Sequence, residues 1–186
     1  MKKSYLLAVK FSAFLLTVVV LFTSIPAGVF SAFFLIQKAP LQMALISDIH
    51  YYPQSLMGDK GAAWQKYCDD KSSQYTQTDA LVDAALNAIG IHSKKNGCKY
   101  LLIPGDLTKD SEYAGNVALA GKLKRFEEKT GIQVLVIDGN HDINDSNAST
   151  FKNGKPEKTR ATTPQDFRAL YSDLGYDLAY HTYTPP

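Results

Sequence analysis

Val134-Leu-Val-Ile-Asp138-Gly-Asn-His-Asp142 decides how this chain folds. Four apolar residues, three of them β-branched, read as a buried strand, and the Gly-Asn-His-Asp that follows is too polar and turn-prone to continue it. An amide oxygen, an imidazole and a carboxylate are thus delivered at a strand end, and in open α/β sheets ligands bind in the crevice beyond the carboxyl ends of the strands. Two further stretches repeat the arrangement. Leu45-Ile46-Ser47 runs into Asp48-Ile49-His50, and Tyr100 to Pro104 runs into Gly105-Asp106-Leu107-Thr108. Three apolar runs therefore each stop at a potential metal ligand.

The segments between them read as crossover helices. Thr78-Asp79 supplies a helix N-cap, Leu81, Ala84, Ala85, Ala88 and Ile89 form an apolar stripe, and Lys94-Lys95 before Gly97 closes the helix at its negative end. Ser111-Glu112 opens a second helix whose Leu119, Leu123 and Phe126 share a face, and Gly131 ends it before the strand Ile132 to Ile137. Strand, helix, strand, helix, strand predicts an α/β unit of βαβαβ order with parallel strands. Tyr51 to Thr76 reads as a polar loop with a short helical turn around Trp64 to Tyr67, its aromatics packing beneath it. Past Asp142, the stretch to Thr162 reads as an exposed loop in which Lys152, Lys155, Lys158 and Arg160 are solvated. Thr163-Pro164-Gln165-Asp166 then starts a helix carrying Phe167, Leu170, Tyr171 and Leu174.

In this order, Asp-x-His, Gly-Asp and Gly-Asn-His-Asp resemble the motifs of the calcineurin-like metallophosphoesterases, over roughly Gln42 to Asp142. The resemblance implies the N-terminal half of an α/β/β/α sandwich and hydrolysis of phosphate mono- or diesters at a two-metal site with a metal-bound hydroxide. It implies that Asp48 and His50 bind the first ion, Asp106 bridges both, and Asn140 binds the second. His141 would touch the phosphate and the leaving oxygen, with Asp142 holding its ring in orientation and keeping it cationic. The chemistry suits these residues, because two ions about 4 Å apart neutralise phosphate charge and lower the pKa of a bridging water. Carboxylate with imidazole selects Mn²⁺, Fe or Zn²⁺ over Mg²⁺ alone.

The chain also departs from the family. Members carry further histidines and a Gly-His-x-His motif, whereas this sequence has 4 histidines in all, His50, His92, His141 and His181. On the resemblance the domain, 39–186, reads as truncated at its C-terminus with a half-built site, and a missing C-terminal half is its expected partner. The competing reading is an inactive membrane-anchored remnant or interaction module. Asp138 stands where relatives commonly carry proline.

Composition narrows the classes further. With 45% apolar and 20% charged residues over 186 positions, the chain is globular rather than disordered. Lys2, Lys3 and Lys10 supply three of its 20 basic residues, and the remaining 17 face 18 acidic ones, so no basic patch suited to nucleic acid is present. Those lysines precede Phe11–Ile36, a charge-free run longer than the roughly 20 residues that span a bilayer. Residues 1–38 therefore read as a transmembrane signal-anchor or a signal peptide. The positive-inside rule places the domain outside the cytoplasm. Val29-Phe30-Ser31 offers a poor cleavage site, so a secreted product is the alternative. Cys68 and Cys98 lack the spacing of a zinc site, and a disulfide between them is left open.

Overall fold

A computed structural model describes residues 40–58, 62–70 and 74–181. Three parallel strands, β1 (Met43–Leu45), β2 (Tyr100–Pro104) and β3 (Gln133–Ile137), form a sheet in the order β1-β2-β3, with Ala44 opposite Leu101 and Leu101 opposite Val134. The alternation of a strand sends Ala44, Leu101, Ile103, Val134 and Val136 to one face. All but the half-buried Ala44 are buried there. Against them pack helices that follow β1 and β2 in sequence, giving the expected parallel α/β unit. Each fully buried aliphatic side chain contributes about 1.5 to 3 kcal/mol, so this interface is the main stabiliser of the sheet.

Helix before the first crossover is more extensive than the sequence suggests. The turn expected around Trp64 to Tyr67 lies within α2 (Ala62–Asp70), and where the rest reads as loop the structure adds α1 (Gln54–Met57) and a 3-10 turn, Tyr75–Gln77. Their buried residues Leu56, Met57, Trp64 and Cys68 join Tyr52 and the distant Phe151 in a second apolar cluster. Trp64 stacks on Tyr52 and meets Phe151 edge-on, each at 5.0 Å between ring centres. The aromatics thus do pack beneath the segment.

The first crossover helix, α3 (Thr78–Asn96), ends as expected at Gly97, whose φ of 70° favours glycine, with Lys94 and Lys95 in its last turn. Its start and its buried face differ from expectation. Gln77 occupies the cap, while the Thr78 hydroxyl donates to the carbonyls of Tyr52 and Tyr75 and accepts from the Tyr52 amide. The buried face is Thr78, Val82 and Leu86, and Leu81 is 50% exposed. Alanines at 84, 85 and 88 offered a stripe of the right period but little apolar area, and the larger Val82 and Leu86 take the sheet.

The second crossover helix, α4 (Tyr113–Thr130), buries Leu119, Leu123 and Phe126 as read and stops at Gly131. The stretch after Asp142 is not simply exposed. Two short antiparallel strands, β4 (Ser149–Thr150) and β5 (Glu157–Lys158), pair in it and deliver Ala148 and Phe151 to the interior, while Lys152, Lys155, Lys158 and Arg160 remain solvated. Helix α5 (Pro164–Tyr171) begins with a capping box between Thr163 and Asp166. A 3-10 turn, Ser172–Leu174, and α6 (Tyr176–His181) follow it. Asp138, without an account in the sequence, accepts a 2.9 Å hydrogen bond from the Tyr176 hydroxyl.

Both cysteines are buried and free, so they form no disulfide. Among the described residues no helix is long and apolar enough to cross a membrane, and the run Phe11–Ile36, with the whole 1–38 segment, lies outside them.

Candidate metal centre

The ends of the three strands are shaped by close backbone approach. Gly105 has φ of 91°, and a Cβ there would lie 2.9 Å from both Cα and N of Gly139. A Cβ on Gly139 would in turn run into the amide and carboxylate of Asp106. The glycines of Gly-Asp and Gly-Asn-His-Asp are therefore needed because the two turns press main chain against main chain. That contact puts Asp106 beside the third motif, and its Oδ1 accepts from the His141 amide at 3.2 Å.

The first motif is tied to the second by continued pairing. His50 N donates to Asp106 O at 3.0 Å and Tyr51 N to Leu107 O at 2.8 Å, so the loops after β1 and β2 rejoin just past the ligands. Asp48, His50 and Asp106 all have positive φ, 54°, 44° and 49°. Non-glycine residues held in this region cost of order 1 to 3 kcal/mol each, and such strain gathers where geometry serves a ligand. The result is convergence, with ligand atoms of Asp48, His50 and Asp106 all within 4.8 Å of one another.

These residues fit a divalent cation. Two carboxylates and an imidazole meet at one point, and His50 Nδ1 is a buried polar nitrogen without a hydrogen-bond partner among the described residues. A buried donor or acceptor left unpaired costs about 1 to 3 kcal/mol, a penalty that coordination or a ligand would remove. Asn140 lies exposed in the turn after β3.

His141 stands edge-on to His50, ring centres 5.0 Å apart, so the structure brings it to the cluster. Its partner, however, is not Asp142. The Asp142 carboxylate is fully buried and points back into the main chain: it accepts from the amides of Leu107 (3.1 Å), Thr108 (2.8 Å) and Gly139 (2.8 Å) and from the Thr108 hydroxyl (3.1 Å). Burial pushes its pKa above the ordinary carboxylate value, with the four donors opposing. Asp142 thus clamps the second and third turns together. The orientation expected of it falls to Asp110, whose Oδ1 is 3.3 Å from His141 Nδ1, and to Asp145 at 3.7 Å.

Behind Asp110 lies a charge the sequence reading missed. Lys109 is 1% exposed, paired with Asp110 and, at 3.2 Å, with the buried Glu112. Its ammonium sits 5.2 to 5.8 Å from the ring centres of Tyr52, Tyr67 and Tyr75. Burial works against its charge, but Glu112 and Asp110 outweigh that and hold its pKa above the ordinary lysine value. Asp110, His141 and Asp145 also bring ligand atoms within 4.8 Å of one another. Lys109 lies against Asp110 in that second group, and its positive charge opposes a cation there. The only hint of this network in the sequence was the density of carboxylates flanking the motifs, Asp110 and Glu112 after Gly-Asp and Asp145 after His141.

The calcineurin-like phosphoesterase profile matches residues 41–181. The chain belongs to this family. No curated protein matches the chain significantly. In this phosphoesterase domain the candidate Asp and His metal groups lie at the three motif-bearing strand ends. His92 is remote from them, exposed on α3 beside Asn96.

Proposed function

We propose that the chain is a metal-dependent hydrolase of phosphate mono- or diesters, with a first ion on Asp48, His50 and Asp106 and a second shared between Asp106 and Asn140. The convergence of the first three within 4.8 Å carries this reading. Bound Mn²⁺, Fe or Zn²⁺ would neutralise phosphate charge and lower the pKa of an attacking water. His141 would meet the ester from Nε2, since Nδ1 is engaged by Asp110, and would give its proton to the leaving oxygen. A donor there stabilises charge that grows only in the transition state.

The charge-free run Phe11–Ile36 and the lysines ahead of it support an extracytoplasmic domain held by a single membrane span. Protease added to intact cells would then remove the domain, whereas a shortened product in the medium would show a cleaved signal.

Hydrolysis of an aryl phosphate monoester and diester with added Mn²⁺ tests the activity. Turnover is expected to vanish on chelation and to fall about 10²-fold or more in His141→Ala. Turnover that survives both chelation and Asp106→Ala would refute the reading.

A further inference from the structure

We propose that Lys109 is the positioning residue for His141, acting through Asp110. The proposal rests on the reading that His141 meets the phosphoester. Its basis is the closed set of contacts made by three neighbouring charges. Asp110 has its two carboxylate oxygens divided between Lys109 and His141. Glu112 fixes the same unit from behind, with one oxygen on Lys109 and the other accepting the Asp110 amide at 2.9 Å. Turning Asp110 away from His141 would therefore leave a buried ammonium and a buried carboxylate without their arrangement.

The lysine is itself held from the far side. Tyr52, Tyr67 and Tyr75 come from the segment between β1 and α3, so Lys109 links this aromatic cluster to the candidate centre. A lysine is an unexpected choice for such a place. Replacing a buried ion pair by apolar or neutral groups of similar volume is often neutral or stabilising, so the fold alone does not ask for charge here. What the charge delivers is a fixed Asp110, and hence an imidazole held edge-on to His50 with its Nδ1 occupied.

The test uses the full chain with Lys109→Met combined with Glu112→Gln, which removes both buried charges together. The double variant is expected to melt at or above the wild-type temperature. In long-range ¹H–¹⁵N spectra, His141 should change from one fixed tautomer to an averaged pattern. With Mn²⁺ and an aryl phosphate, kcat should fall about tenfold while KM stays within about twofold. A folded double variant with the wild-type His141 spectrum and kcat would overturn the proposal. An unfolded one would overturn it too, because the lysine would then be a support of the fold. Asp110→Asn, which keeps Lys109 and Glu112, should give the same loss of the fixed tautomer, and an unchanged spectrum would break the chain at that link. Should the wild type turn over no ester, the hydrolase reading fails, and the tautomer measurement still decides whether Lys109 positions His141.

Discussion

The core beneath the sheet and the cluster beside the candidate centre are both buried and apolar, but they are assembled differently. The first takes Leu101, Ile103, Val134 and Val136 from strands and Val82, Leu86, Leu119 and Leu123 from helices, each set at the spacing of its element. The second takes Tyr52, Leu56, Met57, Trp64, Cys68 and Phe151 from short helices and loops, with no strand longer than two residues beside it. Among the described residues the one buried cation, Lys109, lies against aromatic rings of the second. Periodic packing fixes where the strands end. The aperiodic cluster, through Lys109 and Asp110, fixes how one side chain stands at those ends.

Asp142 belongs to neither cluster, and removing it should have the largest effect. Asp142→Ala would leave the buried amides of Leu107 and Thr108 and the part-buried amide of Gly139 without their partner. At about 1 to 3 kcal/mol for each unpaired buried group, with partial relaxation, a loss of about 3 to 5 kcal/mol is expected in urea unfolding. A loss below about 1 kcal/mol would mean that the turns hold together without the clamp.

Next come the clusters themselves. Trp64→Ala should cost about 3 kcal/mol, the range for emptying a large buried aromatic site. If the two clusters are separately cohesive, amides of 62–70 will lose hydrogen-exchange protection while those of β2 and β3 keep theirs. Leu101→Ala, by contrast, should lower protection throughout. Equal loss everywhere in both variants would show a single cooperative core and dissolve the distinction.

A smaller effect is expected at the strand ends. Asp48→Ala and Asp106→Ala should each weaken Mn²⁺ binding at least tenfold by calorimetry, about 1.4 kcal/mol. His92→Ala, remote on α3, should leave it unchanged. Identical titrations for wild type and both aspartate variants would remove the metal from the site.

How much of this could be read from the sequence follows the same division. The strand ends, the Leu119–Leu123–Phe126 face, the stops at Gly97 and Gly131 and the capping box at Thr163 were legible because each is local or periodic. The gathering of Asp48, His50 and Asp106 at one place could be read because each follows an apolar run at a strand end, and their candidacy as metal ligands came from the family resemblance. The role of Asp142 was not, since nothing in Gly-Asn-His-Asp distinguishes a carboxylate that turns to its neighbouring ring from one that turns to main-chain amides. Nor was Lys109, whose cage is made by tyrosines at 52, 67 and 75 that only the folded chain brings together. The face of α3 was misread because alanine keeps the helical period while leaving little area to bury.

The smallest predicted effect joins the strand ends to α3 and appears only in acid. The Tyr51 hydroxyl donates to Asp79 at 2.7 Å, and Lys122 lies 3.0 Å from the same carboxylate oxygen. The hydrogen bond from Tyr51, with help from Lys122 and against partial burial, holds the Asp79 pKa below its ordinary value. A carboxylate lowered on folding adds stability that is fully present above its unfolded pKa, about 3.9, and is lost as pH falls through the lower folded value. Asp79→Asn keeps an oxygen for Tyr51 but cannot titrate. Its unfolding free energy should therefore lie below wild type at neutral pH and approach it below about pH 4, making the acid limb shallower. Parallel limbs would mean that Asp79 ionises alike in the folded and unfolded chain, and that Tyr51 is held at the strand end by packing alone.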